Sequence, residues 1–111
     1  PHDQLLLAAF NDHQRRAGGA GPEATSLTVN LLRAAEFAVT TEKTPWRLTA
    51  ESGIAFVDQM LEERLAAAVA QDPALAGTAA AWLELRRAQL IAGLLQIELD
   101  HCDILALPGG L

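Results

Sequence analysis

The sequence predicts an all-α fold, a four-helix up-down bundle completed by homodimerisation through a long C-terminal helix. Three observations lead there. Half of the 111 residues are hydrophobic and only 5% are aromatic, and the alanines and leucines that dominate favour helices. Apolar residues recur at helical spacing in four stretches, at about 2–16, 22–41, 50–70 and 73–105. No stretch reads as a strand. The length suits a single domain spanning residues 1–111, large enough to bury a core without staples.

The first helix groups Leu6, Ala9, Phe10 and His13 on one side, and Gly18 and Gly19 end it. His13 near that end reads as a packed or capping residue rather than a ligand. Gly21-Pro22-Glu23 opens the second helix in the favoured order. Its apolar face is Leu27, Leu31, Leu32, Ala35, Ala38 and Val39, while Phe37 falls on the outer side, where a partner contact would look the same. Residues 41–48 read as a connection, with Trp46 packed over a helix end. Thr49 is placed to cap the third helix, whose stripe is Ile54, Val57, Leu61, Leu65 and Ala68. Arg64 lands on that apolar side and is expected to snorkel, stem buried and head wet. Asp72-Pro73 signals the start of the fourth helix, and residues 106–111 read as a frayed tail.

The net charge of −6 argues against nucleic acid, whose phosphates call for a basic surface, and against anionic membranes. No apolar run approaches a membrane span. The early run Leu5 to Phe10 follows an acidic, non-basic start and does not resemble a signal peptide. The lone Cys102 excludes an intrachain disulfide and fits a reducing compartment, so a cytoplasmic protein is expected.

The fourth helix carries the chemistry. Read at roughly 100° per residue, Arg86, Gln89, Gly93, Gln96, Asp100 and Asp103 form a polar strip, while Arg87, Glu98 and His101 fall among leucines. Charges on a packing face are costly unless paired. Arg64, Glu84, Arg87 and Glu98 are therefore expected either to form a seam that fixes dimer register or to line a ligand-binding cavity. In the cavity reading Glu98, His101 and Arg87 are the catalytic candidates. Glu98-x-x-His101 has the one-turn spacing of a helical metal-ligand pair, echoed in ferritin-like di-iron bundles, with Glu36 or Glu63 as further donors. A single such pair is common by chance, so a divalent metal is the lesser reading and no cofactor is strongly implied. Cys102 reads as a small buried thiol, since adjacent helical residues point about 100° apart and His101 cannot readily activate it. The balance favours the seam: a homodimeric interaction or accessory protein that binds a partner protein, with the inward Arg/Glu/His set as a small-molecule or metal site in the alternative.

Overall fold

The computed structural model describes residues 2–109, apart from the side chain of Ala17. It replaces the expected all-α bundle with an α+β fold. Four helices, α1 (Asp3–Gln14), α2 (Ala24–Ala34), α3 (Ile54–Gln71) and α4 (Ala76–Ile91), are joined by four strands, β1 (Phe37–Lys43), β2 (Trp46–Leu48), β3 (Ile97–Leu99) and β4 (Cys102–Pro108).

Two helices end earlier than the apolar spacing suggests. The second stops at Ala34, and the chain reverses through Glu36, the one non-glycine residue at positive φ (68°) among the described residues. The residues beyond it, Phe37-Ala38-Val39-Thr40-Thr41, are rich in types that fit a pleated surface. The fourth helix stops at Ile91, two residues before Gly93 at φ 74°. The Leu94 N–H donates to the Gln89 carbonyl at 2.9 Å, and the glycine takes the left-handed conformation that closes a helix end. Residues 92–105 are therefore not helical, and the face assigned to Glu98, His101 and Cys102 does not exist.

β1 pairs antiparallel with β4, and β2 with β3. The register from Phe37↔Pro108 to Lys43↔Cys102 continues unchanged through Trp46↔Leu99 to Leu48↔Ile97. The two short sheets thus form one ribbon with a local interruption. At that interruption the Thr44 N–H donates to the His101 carbonyl at 2.8 Å. Hydrogen-bonded and non-bonded pairs alternate along an antiparallel ladder, so Pro45 falls at a non-bonded position, where its missing N–H costs the ladder nothing.

The core lies between α1, α3 and α4. One cluster joins Leu6 and Ala9 to Leu65, Ala68, Leu75 and Ala79. A second joins Val57, Leu61, Leu90 and Leu95 to Leu48, with Ile97 and Leu99 against it. Trp82 and Leu83 touch both clusters and tie them together. The α3 stripe packs as its spacing implies, except that Ile54 is exposed. Thr49 and Asp72 accept backbone N–H groups at the starts of their helical turns, from Glu51 at 3.3 Å and Ala74 at 3.2 Å.

The rest of the chain projects from this core. Side chains alternate across a strand, so Leu48, Trp46, Leu99 and Ile97 share one ribbon face with Ala38, Thr40, Leu105 and Leu107. Next to the core this face is covered, with Leu48 only 8% exposed, while Trp46 beside the interruption is 53% exposed. Further out it is bare, with Leu105 57% and Leu107 54% exposed. The opposite face of the outer half, bearing Val39, Ile104 and Ala106, is half-buried beneath α2. This outer half and α2 form an arm, with Val29 of α2 buried and Leu27 and Leu31 turned outward. The inward residue of α2 is therefore Val29 rather than the expected Leu27 and Leu31.

The arm makes the molecule long. Its radius of gyration is 17.3 Å and its extents are 54 × 32 × 22 Å, whereas a compact domain of this length has a radius near 13 Å. The accessible surface is 7560 Å². A folded monomer of 11.8 kDa usually exposes about 5,900 Å².

Candidate functional site

The residues singled out by sequence do not converge. Glu98 lies on β3 and His101 at the ribbon interruption. Residues three apart share a helix face but point to opposite faces of a strand, so the one-turn spacing places the pair apart. Glu98 faces Arg47 across the ribbon, with 3.7 Å between charged atoms and both side chains more than half exposed. His101 stacks on Trp46 with ring centroids 4.8 Å apart, and its Nδ1 lies 2.7 Å from the Thr44 hydroxyl. Trp46 therefore packs on the ribbon rather than over a helix end. Among the described residues no group of three His, Cys, Asp or Glu side chains converges as a metal site would require. Glu36 sits in the turn before β1 and Glu63 is exposed on α3. Cys102 is half-buried on β4.

Arg87 does not join Glu84 or Glu98. It donates from Nε to one oxygen of Asp58 on α3 and from Nη2 to the other at 3.1 Å, with Glu62 3.4 Å away. The Arg87 hydrogen bonds hold the Asp58 carboxylate below its ordinary pKa. This is a fork across α3 and α4, a seam within one chain. Glu84 is exposed on α4 and takes no part in it.

Arg64 and Glu98 are the members of the expected set that line a concave surface. A half-open cleft of about 430 Å³ lies between α1, α3, α4 and the segment Leu95–Leu99. Its walls include Leu6, Phe10, Met60, Leu95 and Ile97, with Arg64, Arg86, Asp3 and Glu98 as the charged groups. Asp3 accepts both nitrogen–oxygen contacts of an Arg86 amino group, at 2.8 and 2.9 Å, and a hydrogen bond from the Trp82 indole N–H. The Trp82 bond, followed by those from Arg86, holds the Asp3 carboxylate below its usual pKa. Arg86 also donates to Gln89 at 2.8 Å. Two of the four charges therefore neutralise each other, and Glu98 is turned to Arg47.

Arg64 is different. Its guanidinium lies 4.6 Å from the centroid of the Phe10 ring, and no carboxylate of the described residues lies within 4.0 Å of it. Burial lowers its pKa from the ordinary arginine value. The snorkelling expected from the sequence describes the stem; the head rests on an aromatic ring at the cleft wall. The association of Asp3 with Trp82 and Arg86 spans most of the chain, and no local spacing in the sequence signals it.

The strand edges form the second candidate surface. Among the described residues the ribbon has two strands, and each has one unpaired edge. No helix of the described residues is long and apolar enough to cross a membrane. No family model matches the chain, and neither the curated proteins nor the solved structures compared with it give a match.

Proposed function

We propose that the chain acts as a homodimeric interaction protein in which the arm is the assembly surface. The observation that carries this reading is the bare outer face of the ribbon beside an uncharged strand edge. From Ile104 to Pro108 the β4 strand has no charged residue, and an exposed apolar edge is a template for another strand. α2 leans chiefly on β1 and less on β4. Antiparallel pairing of β4 with its own copy is self-complementary, as a two-fold interface requires. It would produce a four-stranded sheet in the order β1, β4, partner β4, partner β1, and bring Leu105 and Leu107 of both copies together.

The area supports a second copy of this size. The chain exposes about 1,600 Å² beyond the usual value for its mass, and a standard interface uses about 800 Å² per partner. The outward Leu27 and Leu31 of α2 then form the surface offered to a partner protein.

Light scattering or sedimentation at micromolar concentration tests the assembly. The native chain is expected to run as a dimer and Leu105→Lys as a monomer. Ile104→Pro separates edge pairing from packing. Ile104 lies opposite Thr41, a non-bonded pair by the alternation fixed at Thr44, so its N–H points to the open edge. Proline there removes the donor for a second copy and leaves the β1–β4 ladder intact. A native monomer, or an Ile104→Pro dimer as tight as the native one, overturns β4 pairing.

A further inference from the structure

The cleft beside Arg64 carries an inference independent of assembly. We propose that it binds a single-chain amphipathic monocarboxylate, with the carboxylate on the Arg64 guanidinium and the apolar tail against Leu6, Met60 and Leu95. Three observations support that class of ligand. The cleft holds about 430 Å³, within the roughly 300–1,000 Å³ common for small-molecule pockets. Its walls are mostly leucine, isoleucine, methionine and phenylalanine, which suit a hydrocarbon tail.

The charges select the head group. Asp3 and Arg86 cancel, and Glu98 is engaged by Arg47. Arg64 remains as the cation without a carboxylate of the described residues beside it, and its planar fork matches a carboxylate in two-point contact. One cation neutralises one negative charge. A phosphate dianion would bring a second charge close to Asp3 and Glu98 in a chain of net charge −6, so the monoanion is favoured. The guanidinium lies over the Phe10 ring, 4.6 Å from its centroid, and the attraction of a cation to an aromatic face holds it at the cleft wall.

The probe is decanoate below its micelle concentration, titrated into the 111-residue chain by calorimetry. Trp82 lines the cleft and Trp46 does not, so in a Trp46→Phe background the remaining indole fluorescence reports on the cleft. Saturable binding at one site per chain is expected, with a change in Trp82 emission. Decanol has the same tail and no charge, and is expected to bind at least tenfold more weakly. Arg64→Ala should weaken decanoate at least tenfold, and Arg64→Lys should recover part of the loss, because a point charge replaces the fork.

Decanol binding as tightly as decanoate would overturn the head-group assignment without any variant, so the test survives if Arg64→Ala misfolds. Decanoate that fails to saturate up to millimolar concentration would overturn the site. The Leu105→Lys chain should retain decanoate binding whether or not it dimerises. Loss of binding there would overturn a site contained in one chain.

Discussion

The two halves of the ribbon share one register but not one environment. Near the core, Leu48 is almost fully buried, and Ile97 and Leu99 pack beside it on the cluster around Val57 and Leu90. Beyond the Thr44–His101 pair the same face carries Leu105 and Leu107, both more than half exposed. The backbone ladder is the same in both halves, so pairing alone does not decide which half is finished. A two-stranded ribbon is marginal until a face is covered. At its root the inner half is covered on this face by helices of its own chain, with Trp46 left open beside the interruption, whereas the outer half has α2 on one face and open surface on the other.

The contrast is broken most strongly from the inner side. Leu90→Ala empties a site that is 1% exposed and should cost about 2–5 kcal/mol in urea unfolding. Leu105→Ala in the outer half should change the stability of the isolated chain by no more than about 0.5 kcal/mol while weakening self-association. Equal losses of chain stability from the two would mean that the arm is as fully packed as the core.

A smaller effect sits at the root of the arm. Glu36 holds a left-handed conformation that costs a non-glycine residue about 1–2 kcal/mol. Glu36→Gly should raise the unfolding midpoint, with a net gain of about 1 kcal/mol or less because glycine also gains freedom in the unfolded chain. A loss of stability would show that the Glu36 side chain contributes more to the turn than its backbone costs.

Asp3 gives the pH-dependent case. Its folded pKa is depressed, so its contribution is fully present above the unfolded carboxylate value of about 4 and is lost as pH falls through the folded value. Asp3→Asn should therefore destabilise at pH 7, by under about 1 kcal/mol because the carboxylate is half exposed and screened. The gap between native and variant chains should narrow in urea unfolding as pH falls below the ordinary carboxylate range. A gap that persists there would point to packing rather than charge. Smallest of all is Glu98→Ala, which removes an exposed ion pair at 3.7 Å and should move the midpoint by a few tenths of a kcal/mol at most.

The helical core was the legible part of the fold. Thr49 and Asp72-Pro73 mark helical starts by local chemistry, and the Val57, Leu61, Leu65, Ala68 stripe is buried as its spacing implies. The ribbon was not legible for a physical reason. Leu105, Ala106 and Leu107 prefer helices as isolated residues, and what makes them a strand is a partner segment nearly seventy positions earlier in the chain. Such long-range pairing overrides propensity. Two local signals were nevertheless present. Gly93 reads as a helix terminator, and the run from Phe37 to Thr41 is rich in strand-favouring types. Taking Gly93 as part of a polar strip carried the helical wheel past its end, which put Glu98 and His101 on a face they do not share. Arg64 was legible as an arginine on an apolar face because α3 really is a helix there. Its cleft was not, since the walls come from α1, α4 and the loop before β3.

Because the strands keep one register from Phe37↔Pro108 to Leu48↔Ile97, the arm can change length only by matched insertions. A single extra residue in one strand would need a bulge or would turn every side chain beyond it to the other face, sending Val39 outward and Ala38 under α2. Two residues added to each strand would preserve the alternation and lengthen the arm by about 7 Å. The ribbon therefore behaves as a ruler graduated in two-residue steps, and homologous arms should differ in reach by even numbers of residues, taken from both strands together.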